Sequence, residues 1–98
     1  MLILLGNIMG RVRVHVFVSG RVQGVFFRQE TKLEALRLSV KGWIRNLNDG
    51  RVEAIFEGEE PSVKTLVDYC YHGPSSSRVD NVEVNYENYV GEFSDFTM

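Results

Sequence analysis

Residues 12–38 read VRVHVFVSGRVQGVFFRQETKLEALRL, and the hydrophobic period changes along this stretch. Its first part alternates valines with other residues up to Val18, which predicts a β-strand with one face in a core. A loop bracketed by two glycines follows, from Gly20 to Val25. The last part predicts an amphipathic helix, because buried-type residues recur at helical spacing: Phe27, Thr31, Ala35 and Leu38.

The rest of the chain continues the same kind of pattern. The remaining elements are predicted as strand, strand, helix, strand and a short strand, at residues 40–46, 51–57, 61–72, 82–86 and 92–97. Asn48-Asp49-Gly50 is a turn signal between the second and third strands. Right-handed crossovers then place both helices on one face of an antiparallel sheet. We therefore predict an α+β fold, a ferredoxin-like split β-α-β sandwich with a short extra C-terminal strand.

The length, net charge and cysteine count of the chain limit its number of domains, its binding partners and its location. A chain of 98 residues with a formal net charge of -2 predicts one domain with no bulk attraction to nucleic acid or to an acidic membrane. Cys70 is the only cysteine, which excludes an intrachain disulfide and fits a cytoplasmic location. The apolar residues 2–5 are too few to cross a bilayer, and we expect no signal peptide. We expect residues 1–10 to be a flexible N-terminal extension and residues 11–98 to be the domain.

The loop between the first strand and helix has features that suit an anion. Gly20 and Gly24 permit a close approach of the backbone, and the loop ends where helix N–H groups lack intrahelical partners. Arg28 falls in the first helical turn, where a cation opposes the helix dipole unless it has an anionic partner. From these residues alone, two interpretations stay open: a phosphate-binding loop, or an ordinary solvated turn.

Two motifs resemble the signatures of the acylphosphatase family. The first is the loop GRVQGVFFR at residues 20–28, and the second is GWIRN at residues 42–46 with Gly50, Val52 and Gly58 after it. One departure is Ile44, where a smaller residue is more usual. The resemblance implies hydrolysis of acyl phosphates to a carboxylate and inorganic phosphate.

The resemblance also assigns roles to individual residues. It implies that Arg28 binds the phosphoryl group and that Asn46 orients the attacking water. It further implies that phosphate is bound by the loop residues Gly20, Arg21, Val22, Gln23, Gly24 and Val25. We expect no cofactor and no metal, since no cluster of His, Cys or carboxylates has ligand spacing. The expected partner is a small acyl phosphate, with no nucleic acid and no membrane, and we expect a monomer.

The remaining chemistry-bearing residues fit structural roles. Cys70 fits a buried small hydrophobe better than a nucleophile, Trp43 fits packing better than substrate contact, and His15 fits a position on the sheet.

Three rival functions share part of the pattern. RNA-recognition modules have the same element order, but glutamates occupy the strand where those modules carry stacking aromatics. A second rival is a module of hydrogenase-maturation proteins that handles carbamoyl phosphate. A third is a phosphate-binding regulatory protein with incidental hydrolysis.

Overall fold

The computed structural model describes residues 10–98, in which the predicted element order is confirmed. The strands and helices are β1 Arg11–Arg21, α1 Phe27–Leu38, β2 Lys41–Asn46, β3 Val52–Glu59, α2 Glu60–His72, β4 Arg78–Glu87 and β5 Phe96–Thr97. Both helices pack on one five-stranded sheet, as a ferredoxin-like α+β fold requires. Among the described residues, no helix is long and apolar enough to cross a bilayer.

The strand order is β4-β1-β3-β2-β5, and one pairing corrects the expected antiparallel sheet. The first four strands pair antiparallel, whereas β2 and β5 are parallel. Residues 88–95 lead from β4, at one edge of the sheet, to β5, at the other edge. Strand β5 therefore runs in the same direction as β2. Beside this pairing, the Gly42 N–H donates a hydrogen bond of 2.9 Å to the Asp95 carbonyl. The sheet is therefore mixed.

The core lies between the helices and the sheet, on the faces that the periodicity predicts. The buried side chains of β1 are Val14, Val16 and Val18, and those of the helices are Phe27, Thr31, Ala35, Val63, Leu66 and Cys70. The Oγ1 atom of Thr31 is buried without a hydrogen-bond partner among the described residues. Apolar burial of this kind contributes ~25 cal/mol per Å² and dominates the stability of such a fold.

Element ends differ from the prediction where strands pair on both sides. The predicted loop from Gly20 is wrong at its start, because β1 continues to Arg21 beside β4. The register shifts between Ser19 and Gly20, and a Cβ on Gly20 would lie 2.2 Å from the Arg78 carbonyl oxygen. Gly20 is thus required by a bulge in the sheet, where only a hydrogen fits.

A buried carboxylate fastens the segment that follows β4. Glu57 is nearly inaccessible, and its carboxylate accepts hydrogen bonds from the N–H groups of Val90 and Gly91 and from Arg13. Burial by itself raises the pKa of Glu57, but these hydrogen bonds outweigh it and hold the pKa below its usual value. Glu57 is therefore an ionised anchor inside the fold.

The predicted N-terminal extension, residues 1–10, lies outside the described residues except for Gly10. The Gly10 carbonyl accepts a hydrogen bond of 2.7 Å from the N–H of Glu60, at the start of α2. The beginning of the described chain is therefore held against the second helix.

Candidate active site

The ends of β1 and β2 meet at one edge of the sheet. Both strands pair antiparallel with β3, so they run in the same direction. Val18 of β1 and Asn46 of β2 have the same partner on β3, Val52. Asn46 therefore lies level with Val18, near the end of β1 that leads into the loop, although the two residues are far apart in sequence.

The loop at residues 22–26 is anchored from three sides. The side chains of Val22 and Val25 are buried in the core. The Ser76 hydroxyl donates a hydrogen bond of 2.7 Å to the Val25 carbonyl. Gln23 donates from Nε2 to the Leu47 carbonyl at 2.7 Å and to the Arg51 carbonyl at 2.9 Å. The two Gln23 hydrogen bonds fix the loop against the β2–β3 hairpin, which carries Asn46.

The backbone of the loop presents N–H groups that the described chain does not use. Within residues 10–98, no carbonyl or side chain accepts a hydrogen bond from the N–H of Gln23, Gly24, Val25 or Phe26. Gly24 has a φ of 72°, and the space where its Cβ would stand is open. Phe26 precedes α1 with a φ of 66°, and its side chain makes no capping hydrogen bond. The free N–H groups of the loop and the positive end of the α1 dipole together favour the binding of an anion at this position.

Arg28 and Asn46 border the same concavity, which has a volume of about 150 Å³. Its lining residues are Val22, Gly24, Phe26, Phe27, Arg28, Gln29 and Asn46. The lining thus contains one cation and no carboxylate. Within residues 10–98, Arg28, like Arg11 and Arg21, has no carboxylate within ion-pairing distance, whereas each of the other arginines has at least one. A guanidinium held beside unpaired amides is suited to a tetrahedral oxyanion.

The predicted site residues divide into two groups. Arg28, Asn46, Val22 and Gly24 border the concavity. The other four do not border it: Gly20 and Arg21 belong to β1, while Gln23 and Val25 anchor the loop. The anchoring role of the Gln23 side chain was not predicted, because an amide that bridges two segments leaves no mark in local periodicity.

Three lining residues were not predicted either: Phe26, Phe27 and Gln29. A signal for the aromatic pair was present in the sequence. The helical spacing of Phe27 with Thr31 assigns Phe27 to the core, and so leaves Phe26 off the buried face. Gln29 adjoins Arg28 in the first turn of α1.

The remaining candidate residues lie away from the concavity. Cys70 is buried, and burial raises the pKa of its thiol to about 12, which suits a core residue and not a nucleophile. Trp43 lies under the Arg45 guanidinium, 5.1 Å from it, and His15 contacts Glu53 on the sheet at 2.7 Å. Among residues 10–98, no group of three or more His, Cys, Asp or Glu side chains is arranged to hold a metal ion.

Comparisons with known proteins find related sequences and related structures over most of the chain. The acylphosphatase family model matches residues 14–98. An acylphosphatase of Syntrophus aciditrophicus (strain SB) is 57% identical over 84 residues, which cover 86% of this chain and 88% of that protein. The structure of an acylphosphatase from Coxiella burnetii superposes with a TM-score of 0.87 at 36% identity, covering 93% of this chain and 95% of that one. Full-length HypF, in a phosphate- and nucleotide-bound form, matches with a TM-score of 0.80 at 27% identity, over 89% of this chain and 11% of that one.

Proposed function

Because this chain belongs to the acylphosphatase family and is therefore an enzyme that hydrolyses acyl phosphates, we propose that Arg28 binds the phosphoryl group and that Asn46 orients the attacking water. One observation carries the proposal: Arg28, Asn46 and the start of α1 border a single concavity that contains no acidic side chain. Arg28 belongs to the start of α1 and Asn46 to the end of β2, and the pairing of β1 and β2 with β3 brings these two separate segments together.

Phosphate binding follows from the loop. A phosphoryl group in the concavity accepts hydrogen bonds from the loop N–H groups, which have no other acceptor in the described chain. The Arg28 guanidinium adds a positive charge and a planar pair of donors. We include the backbone of Gly20, Arg21, Val22, Gln23, Gly24 and Val25 in this phosphate-binding segment, with Gly20 and Arg21 contributing by shaping the entry to it.

The reaction needs few protein groups. The leaving group of an acyl phosphate is a carboxylate, a weak base that departs without a general acid. Water attacks phosphorus, the new P–O bond forms in line with the breaking bond to the acyl oxygen, and the bonding electrons leave with the carboxylate. Positioning and stabilisation of the equatorial oxygens then supply the catalysis, and both come from Arg28 and the fixed amides.

Asn46 suits the placement of water. It lies at the end of β2, its side chain is exposed at the concavity, and no described residue hydrogen-bonds to its carboxamide. The carboxamide oxygen accepts a hydrogen bond from the water and aims its lone pair at phosphorus. Asparagine is not a base, so the water proton passes to a phosphate oxygen of the substrate. Since one chain provides every group, we propose a monomer that uses no cofactor. The single free cysteine, Cys70, supports a cytoplasmic location.

Two variants test these roles with benzoyl phosphate as substrate, in the presence of a chelator. We expect Arg28→Ala to lose ~10³–10⁵ in rate and to lose inhibition by inorganic phosphate. We expect Asn46→Ala to lose turnover while its phosphate inhibition constant stays close to that of the unmodified enzyme. Arg37→Ala, in the last turn of the same helix, and Asn48→Ala, in the adjoining turn, are matched controls. A rate for Asn46→Ala near that of the unmodified enzyme contradicts the proposed water positioning.

A further inference from the structure

Two adjacent phenylalanines meet opposite environments where the loop becomes α1. Phe27 is 1% exposed and packs in the core, whereas Phe26 is 66% exposed. Phe26 also occupies the position before the helix, where Ser, Thr, Asp, Asn or Gly is preferred because these residues cap the free N–H groups. Its φ of 66° is uncommon for a bulky residue. Neither the core nor the helix end accounts for an aromatic ring at residue 26.

Phe26 borders the same concavity as Arg28 and Asn46. A volume of about 150 Å³ is well below the ~300–1,000 Å³ of sites that enclose a whole organic ligand. The concavity therefore has room for the phosphoryl end of a substrate, and the acyl end has to lie across its rim. Phe26 is the large apolar group on that rim.

Building on the proposed function, we propose that the exposed ring of Phe26 binds the acyl half of the substrate and selects acyl phosphates with an aromatic or extended apolar acyl group. In-line attack places the leaving carboxylate on the side of phosphorus opposite the water. Asn46 stands on the β2 side of the concavity, and Phe26 belongs to the loop side. An acyl group that leaves away from Asn46 is thus directed toward the loop, where an aromatic group stacks on the ring or packs against it.

The test compares two substrates that share the anhydride and differ in the acyl group, benzoyl phosphate and acetyl phosphate. Phe26→Gly removes the ring and tolerates a positive φ, and unlike Asn it has no side chain that accepts hydrogen bonds from the N–H groups of α1. We expect kcat/KM for benzoyl phosphate to fall about three- to tenfold, the range of an aromatic contact, and kcat/KM for acetyl phosphate to stay unchanged. Phe26→Tyr keeps the ring and is expected to keep the ratio between the two substrates.

Two results overturn the inference. An equal fall for both substrates assigns Phe26 to the shape of the loop, and no fall for either substrate in Phe26→Gly shows that the acyl group does not contact the ring. Circular dichroism and the inhibition constant for inorganic phosphate establish that fold and phosphate site are intact in each variant. The roles of Arg28 and Asn46 are tested by their own variants, so a failure of the proposed mechanism is distinguishable from a failure of acyl selection.

Discussion

Replacement of Gln23 by Ala removes the side-chain link between the loop and the β2–β3 hairpin and leaves Arg28, Asn46 and the loop backbone unchanged in sequence. The Gln23 amide donates to the carbonyls of Leu47 and Arg51, and both carbonyls also accept backbone hydrogen bonds inside the hairpin. Neither carbonyl is orphaned by the change, so the loss is the net value of two hydrogen bonds, ~0.5–1.5 kcal/mol each. We expect the free energy of unfolding to fall by about 2 kcal/mol, which lowers Tm by roughly 8–16 °C in a domain of this size.

The same change is expected to reduce turnover. Without this brace the loop and Asn46 are no longer fixed to each other, and a misplacement of about 1 Å costs ~10²-fold in rate. Thermal unfolding by circular dichroism and steady-state kinetics with benzoyl phosphate measure the two effects. Gln29→Ala is the control for stability, because Gln29 is exposed and makes no side-chain hydrogen bond within residues 10–98. If Gln23→Ala unfolds at the temperature of Gln29→Ala, or keeps full kcat, the bracing role is wrong.

Three further predictions concern the buried polar groups. Since the folded pKa of Glu57 lies below its unfolded value near 4.5, its carboxylate stabilises the fold above that pH and the contribution disappears as the pH falls through the folded pKa. Urea titrations at pH 7 and pH 3 are expected to show a smaller loss on acidification for Glu57→Gln than for Glu59→Gln, an exposed control; equal losses contradict the anchor. Thr31→Val removes a buried hydroxyl without a partner among the described residues and is expected to raise the free energy of unfolding by about 1 kcal/mol, whereas Thr65→Val, which removes an exposed hydrogen bond, gives no gain. Cys70 is expected to resist iodoacetamide at pH 8 until the protein unfolds, and rapid alkylation of the folded chain refutes its burial.

The element order and the core followed from local patterns. The valine alternation of β1 and the helical spacing after Phe27 are consequences of burying one face, so they survive in the sequence. The parallel partner of β2 did not follow, because β5 has two residues and its pairing depends on where residues 88–95 cross the sheet. The same reason explains Gly20: whether a glycine serves a loop or a bulge depends on the strand beside it.

For the candidate site, the sequence predicted which polar residues take part, but not which other residues line the concavity or brace the loop. Arg28 and Asn46 were identified by resemblance, and in the structure the common direction of β1 and β2 brings them to one edge of the sheet. The exposed ring of Phe26 and the brace of Gln23 were not predicted. Both depend on positions that only the folded chain defines: a positive φ in one case and two carbonyls of a distant hairpin in the other.

Because Val18 and Asn46 pair with the same residue of β3, the active site forms during folding only when both strands pair with β3 in the correct register. Strand β3 sets the register of both flanking strands, and Val52 is the β3 residue that pairs with Val18 on one side and with Asn46 on the other. A slip of either ladder by two residues keeps every side chain on its proper face, yet displaces one half of the site by ~6.5–7 Å. Such a misaligned sheet keeps its apolar face toward the helices, but Asn46 no longer lies beside the phosphate-binding loop. The rate at which turnover recovers during refolding therefore reports when the three strands reach their correct register. Measurements of compactness do not detect this step.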